Sequence, residues 1–559
     1  MSATRGGRPK SIVWLFILAV LIMQGCQPAA SPTPTNSPTP QPSTPPTTTA
    51  TAAPAASPPA RPSATPTPAA SGLWAAVELP AALRAGLQLQ PGIEWAASPE
   101  QAAAHLEVAA QPEVGQWIFA LAAPFPTIAD GVSTADLQAA WQGELSTGPF
   151  AGLPLMLDAG TLEIFTALWG HPPDAAVRVL PASELLDAAW EAQPAWALVP
   201  FETLEPRWKI LSVDAQSPLH KDFNPQAYAL SVPFGLTGAP PETILAKVGF
   251  TNRDPDKLTT VMLTGVTALV RATAETMRRK GLTYPAQDIG PWLREADILH
   301  INNEVPFDPD CPQPDPDQVG LVFCSRPEYM TLLEDIGTDV VDLSGDHFAD
   351  FGPEAMIYTL DLYQEKGIPH FGGGYTEADA RQPLLIEHNG NKIAFLGCNA
   401  KGGGYATARG DHPGAVECDY DLLAKQIADV KSSGYLPIVT VQDVEYYSYV
   451  PQPLLIEHFR RIADAGPIIV SGNQAHQPHG MEFFGDTFIH YGLGNLFFDQ
   501  YHFGLPTGHA FIDRHVIYDG RYISTELLGI RFVDFARSRP MTPDERQELL
   551  ERAFEASLW

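Results

Sequence analysis

From Leu258 to Ser471, short apolar runs alternate with amphipathic segments that stop at glycine, and this alternation restricts the fold more than any other feature. Strands are expected at Leu258–Leu263, Ile298–Ile301, Val340–Leu343, Lys392–Leu396, Pro437–Val441 and Ile468–Ser471. Helices are expected over 327–336, ending at Gly337, over 353–366, stopping at Gly367, over 420–432, ending at Gly434, and over 453–465. Strands separated by helices imply a largely parallel or mixed sheet with helices on both faces. In such a sheet, ligands bind in the crevice outside the carboxyl ends of the strands. Polar clusters gather at those ends: Asn302-Asn303-Glu304, Gly345-Asp346-His347 with Asp350, Asp443-Val444-Glu445, Gly472-Asn473-Gln474-Ala475-His476, and Gly494-Asn495 with Asp499. One convergent site is the natural reading.

The first 71 residues belong to a different regime. Arg5, Arg8 and Lys10 precede a twelve-residue apolar run, Ile12 to Met23, which is too short for an ordinary membrane span and suits a signal peptide over 1–25. The run leads into Gln24-Gly25-Cys26, similar to a bacterial lipobox, so export and acylation of the Cys26 thiol are expected. An uncleaved anchor is the alternative. Residues 27–71 are almost wholly Pro, Thr, Ser and Ala, too poor in apolar surface to build a core. In an extended polyproline-like conformation this 26–71 stalk reaches on the order of 140 Å.

A formal net charge of −30 excludes nucleic acid as the expected partner and argues against electrostatic adhesion to anionic lipid. Besides Cys26 there are four cysteines, Cys311, Cys324, Cys398 and Cys418, an even number in a chain read as exported. Cys311–Cys324 and Cys398–Cys418 close the short loops and are the favoured pairs among three connectivities. No cysteine spacing suits a thiolate metal site.

Residues 72–250 also alternate strand-like and helix-like segments. Gly115–Leu121 and Ala195–Phe201 read as strands, Leu185–Trp190 as a helix, and Ser133, with Asp136 three residues on, as the cap of a helix reaching Trp141. The segment resembles a smaller α/β domain of periplasmic binding-protein type. Its tryptophans, among them Trp117, Trp141, Trp196 and Trp208, read first as core and second as the lining of a ligand cleft. A linker is expected at Thr251–Asp256, with the second domain spanning 255–559.

Within the second domain each cluster has a functional and a structural reading. Asp346 and His347 suit metal ligation or proton transfer, or a plain loop; Glu304 suits an oxygen ligand, or a solvated carboxylate. His476 closes a strand-end loop beside other candidate ligands. Asp443, Glu445, Tyr446, Tyr447 and Tyr449 form an acidic-aromatic loop suited to sugars or polar polymers. Asn495 and Asp499 read as structural.

In order, Asn302–Glu304, Asp346-His347 with Asp350 and Gly352, Phe371–Gly374, Asn391–Gly397, Glu445-Tyr446, His476 and Tyr491–Asp499 resemble the CapA family of poly-gamma-glutamate capsule synthesis proteins. The likeness covers roughly Leu258 to Tyr522. It implies a metallophosphatase-like α/β sandwich with mixed sheets, a capsule, exopolymer or peptide-like polymer as partner, and an extracytoplasmic location. It also implies roles: His347 at the general-acid position, Asp350 and Glu445 beside it as catalytic candidates, and Glu304, Asp346, His476 and Asn473 as metal ligands.

The departures from the family pattern weigh as much. Val266 stands where the pattern has a ligating Asp, Val441-Gln442-Asp443 replaces His-Trp-Gly, and Gly472–His476 replaces Gly-His-His-Pro-His. A complete two-metal clamp for phosphoryl transfer is therefore not encoded. The remaining donors, with Gln442 or Asp443 as further candidates, suit at most one hard divalent ion, Mg²⁺, Mn²⁺ or Ca²⁺. Three functions follow as expectations: a lipid-anchored protein of capsule or exopolymer assembly with a degenerate metal site, a non-catalytic envelope-binding lipoprotein, or a metal-dependent phosphoesterase.

Overall fold

In the computed structural model, residues 71–144, 149–150, 152–500 and 504–559 are described. The expected signal segment, Cys26 and all but the last residue of the stalk lie outside the described residues. Among the described residues no helix is long and apolar enough to cross a membrane.

The amino-terminal half builds a mixed sheet of nine strands. Its central, twelve-residue strand Glu113–Pro124 runs antiparallel to Trp196–Pro200, Trp208–Val213 and Ser231–Thr237. Ser133 accepts a hydrogen bond from the Asp136 amide and Asp136 reciprocates, so the expected capping box opens the Thr134–Trp141 helix. Trp117, Trp141, Trp196 and Trp208 are buried in the core. That core continues into Leu258, Val516, Tyr518 and Ile523 of the second half. All of this lies within one compact unit, Pro68–Trp559.

The expected linker is not a loose one. Asn252 pairs with both backbone groups of Ile118, at 2.8 Å each, and the Arg253 guanidinium donates to Pro218 O at 2.7 Å. Both residues are buried. A polar stretch reads as a linker when each side chain is assumed to face water. Here the side chains replace water with backbone partners, and the segment becomes part of the seam.

The second half is a four-layer sandwich. One nine-stranded sheet runs His370–Phe371, Val340–Asp342, Ile298–Asn303, Leu258–Thr264, His509–Tyr518, Arg521–Val533, Arg537–Pro540, with Val266–Thr267 and Asn495–Phe497 beside it. The first four of these are mutually parallel and the last three antiparallel. A six-stranded sheet runs Leu384–His388, Asn391–Asn399, Leu436–Gln442, Ile469–Gly472, Thr487–His490, Met481–Phe484. Val261, Leu263, Ile298 and Val340 of the first sheet meet Ile393, Phe395, Ile438 and Ile469 of the second in one apolar layer. Helices Arg271–Lys280, Met330–Asp335 and Gly352–Lys366 cover the outer face of the first sheet, and Tyr420–Ser432 and Pro453–Ala463 that of the second. Gly367 ends its helix in the left-handed conformation at φ 68°, as the sequence required.

Both expected disulfides are present, Cys311–Cys324 and Cys398–Cys418. The 391–399 strand runs three residues past its expected end. The strand stays in parallel register with 436–442 through Asn399↔Gln442.

Candidate functional site

The parallel strands of both sheets point their carboxyl ends to one edge, and the polar clusters converge there. Asn302, at the end of 298–303, lies opposite Asp342, and Glu304 follows immediately. Asp342 is buried and accepts from the Ser344 amide at 2.8 Å, the Thr440 hydroxyl at 2.8 Å and the Asn473 amide at 2.5 Å. It thereby ties the first sheet to two strands of the second. Burial still lifts its carboxyl above the usual range despite these donors.

From Asp342 the chain turns through Ser344 and Gly345 to deliver Asp346 and His347. A side chain at Gly345 would place its Cβ 2.8 Å from Glu304 O and 2.9 Å from Glu304 Cα. The glycine is required by this close approach, which brings the Glu304 and Asp346 carboxyls face to face. Glu304, Asp346 and His347 form a cluster whose candidate ligand atoms all lie within 4.8 Å of one another.

Lys401 decides the electrostatics of this cluster. Its ammonium lies 2.5 Å from Asp346 Oδ2 and 3.6 Å from Glu445 Oε1, and its side chain is only 13% exposed. The ammonium also sits 4.7 Å from the Tyr405 ring centre. Three contacts hold its loop: Ala400 N donates to Gln442 O at 2.6 Å, Asn399 Nδ2 to Ser344 O at 3.0 Å, and the Cys398–Cys418 disulfide closes the base. Gln442 Nε2 donates to the other Asp346 oxygen at 3.0 Å and reaches Glu304 Oε1 at 3.5 Å.

The protonation pattern follows from this arrangement. Burial and the neighbouring Asp346 charge hold Glu304 well above the carboxylate range. Burial would also raise Asp346, but the His347 and Lys401 charges outweigh it and hold this carboxyl low. Burial opposes the imidazolium of His347. The Asp350 hydrogen bond (Nδ1 to Oδ2, 2.7 Å) and the nearby carboxylates overcome it and lift His347 to about 9. Asp350 is itself fixed by the Phe323 amide at 2.7 Å, and the Phe323 ring lies 4.9 Å from the imidazole.

The remaining sequence candidates flank this cluster or turn away from it. His476 Nδ1 donates to Asn495 Oδ1, 2.8 Å away, while its Nε2 stands 3.9 Å from Glu445; burial holds this imidazole below its usual value. Asn473 turns its amide to Asp342, and its backbone carbonyl accepts from Asn302. Asp443 pairs with His458 at 2.7 Å on the outer helix. Glu445 accepts from Gln474 at 2.7 Å and from the Tyr447 hydroxyl at 3.1 Å. Asn495 orders the His476 loop, donating to His476 O and Thr507 O. Asp499 receives the Arg271 guanidinium at 3.2 Å and the Ala272 amide at 3.0 Å, fixing the start of the 271–280 helix. Val266 lies in an apolar floor with Val305, Phe323 and Phe498. Lys401 and Gln474 are the participants that sequence reasoning missed. The signal for Lys401 was present: Asn399-Ala400-Lys401 is another polar step after an apolar run, hidden by ending the strand at Leu396.

A divalent ion does not fit the donors as they stand. Unpartnered buried oxygens at Asn302, Asn303, Gln442, Asn473 and Gln474 would suit a cation, but they are neutral. Both Asp346 oxygens already accept hydrogen bonds, one from Lys401 and one from Gln442, and His347 Nδ1 is bonded to Asp350. A divalent ion on Asp346 would have to share that carboxylate with the Lys401 ammonium, and the two cations would repel each other by several kcal/mol at an effective dielectric of about 20. Lys401 would have to leave first.

Residues 260–500 match the family described as "Bacterial capsule synthesis protein PGA_cap". The chain is similar to "Capsule biosynthesis protein CapA" of Bacillus anthracis, 26% identical over 254 residues, covering 44% of this chain and 62% of that protein. It is also similar to "PGA biosynthesis protein CapA" of Bacillus subtilis (strain 168), 25% identical over 249 residues, covering 44% and 64%. The chain thus spans less than two thirds of the length of these relatives. Among solved structures, a 5'-nucleotidase precursor from Thermus thermophilus has a TM-score of 0.31 at 11% identity, covering 53% of this chain and 57% of that one. An ABC-type phosphate transport receptor from Vibrio cholerae has a TM-score of 0.22 at 14% identity, covering 26% and 71%.

Proposed function

We propose that this chain, whose residues 260–500 match the PGA_cap capsule synthesis family, is an exported envelope protein that engages an anionic, amide-linked exopolymer of the poly-gamma-glutamate type. In this reading Cys26 carries a lipid anchor and the 26–71 segment holds the folded part away from the membrane. The polymer enters the crevice at the strand ends. Lys401 and His347 supply positive charge for its carboxylates, and half-exposed Tyr405 and Tyr447 supply apolar contact at the rim.

The observation that carries this reading is the pair of cationic side chains, Lys401 and His347, held in the cluster at the strand ends of a protein of net charge −30. The same observation favours a non-catalytic role over phosphoester hydrolysis, because the donors that would clamp a metal are hydrogen-bonded to one another. Had Lys401 swung out, the Glu304–Asp346–His347 cluster is where a single Mg²⁺, Mn²⁺ or Ca²⁺ would be held.

Binding of fluorescent poly-gamma-glutamate to the full chain in mild detergent tests the reading, beside capsule staining of cells. Salt-sensitive binding is expected, weakened in His347→Ala, with loss of surface polymer in the same strain. Absence of binding to this polymer together with an unchanged capsule overturns the proposal; metal-dependent phosphodiester turnover would establish the phosphoesterase instead.

A further inference from the structure

We propose that the Lys401 ammonium is a built-in cation that fills the place of a divalent ion in this crevice, so that the site operates without metal. The inference rests on the reading that the crevice is the working site, and it goes further by stating what holds the crevice together. Four carboxyl groups, Glu304, Asp346, Asp350 and Glu445, approach one another at the strand ends, and a cluster of this kind collapses only if positive charge is supplied. Lys401 supplies it from inside the fold, touching Asp346 directly and Glu445 at longer range.

The loop geometry suits a permanent rather than an occasional occupant. Asn399 is anchored to Ser344, Ala400 to Gln442 and Gly402 to the Asn399 side chain at 3.2 Å, so the backbone on both sides of Lys401 is fixed by the cluster's own strands. Gly402 adopts φ 56° and Gly403 φ 58°, two consecutive left-handed residues that turn the chain sharply away once the lysine has been delivered. Asp346 presents a full carboxylate to the ammonium, and Gln442 donates to that carboxylate in place of competing for it. Ordinary metal ligands would be redundant around such a cation, and Val266, Asn473 and Gln474 are not charged donors.

Removing the charge is therefore expected to restore metal binding. The test is Mn²⁺ uptake by the full chain in detergent, counted by equilibrium dialysis and by loss of the free Mn²⁺ resonance, for wild type, Lys401→Met, Lys401→Gln and Lys401→Arg. Wild type and Lys401→Arg should take up no Mn²⁺, whereas Lys401→Met and Lys401→Gln should bind about one ion per chain, bound by carboxylates and imidazole. The uptake should vanish when Asp346→Asn is added. Stoichiometric Mn²⁺ binding by the wild type that is lost in Asp346→Asn overturns the proposal. So does a folded Lys401→Met or Lys401→Gln that binds none. If neither neutral variant folds, the wild-type count decides alone, with an unchanged melting temperature in Mn²⁺ as the supporting result. None of these counts depends on which polymer is bound, so failure of the polymer assay leaves them unaffected.

Discussion

Replacing Asp350 by asparagine offers a direct measure of the electrostatic field in the crevice. Asp350 Oδ2 accepts from His347 Nδ1 at 2.7 Å and from the Phe323 amide at 2.7 Å. An asparagine can keep the Phe323 bond through its carbonyl, but its NH₂ group then faces His347 and favours the neutral imidazole. In the wild type, burial disfavours the imidazolium while Asp350, Glu304 and Asp346 stabilise it, with the net result that His347 titrates at about 9. Against an unfolded value near 6.5, this corresponds to about 3 kcal/mol of stability, to be read as an order of magnitude. The folded value lies above the unfolded one, so the contribution is present in full below about pH 6.5 and disappears as the pH rises through about 9. Asp350→Asn should accordingly cost about 2–3 kcal/mol at pH 6 and under about 1 kcal/mol at pH 10. Titrations common to both proteins cancel in that difference. Imidazole NMR should show His347 falling to or below its ordinary value in the variant, and urea unfolding at the two pH values should show the gap closing. A wild-type His347 titrating near 6.5, or an equal gap at both pH values, would refute the reasoning.

Gly345→Ala should lower stability by about 1–3 kcal/mol, seen as a fall in melting temperature, because its Cβ would lie 2.8 Å from Glu304 O; an unchanged melting temperature means the two loops are not this close. Replacing Cys398 and Cys418 together by serine removes a cross-link with a sequence separation of 20 residues and should cost about 3 kcal/mol in urea unfolding, relative to the oxidised wild type. Thr542→Ala breaks the capping box that opens the Pro543–Glu555 helix and should cost about 1 kcal/mol by the same measurement, leaving polymer binding unaltered.

The strand-helix alternation from Leu258 to Ser471 was legible because it depends on neighbours in sequence. Apolar runs, the Ser133–Asp136 cap and the stop at Gly367 are local choices, each made within a few residues. Alternation in turn implies parallel strands, and parallel strands share a carboxyl edge, so the convergence of Glu304, Asp346 and His347 on that edge follows from sequence. The two short cystine loops were favoured on the same ground of local closure.

Which groups face one another inside the crevice was decided by contacts between residues far apart in the chain. Lys401 reaches Asp346 across 55 positions, and Gln442 reaches Asp346 across 96 and Glu304 across 138. Asp443, adjacent to Gln442 in a strand-end loop, turns outward to His458, and the polar stretch at Asn252–Arg253 is drawn into the seam between the two halves. These outcomes depend on the register of 391–399 against 436–442 and on the path of a glycine-rich loop, and neither leaves a periodic mark in the sequence. Residue types therefore set the inventory of the site, while the tertiary fold decided that its carboxylates would be neutralised by an internal lysine.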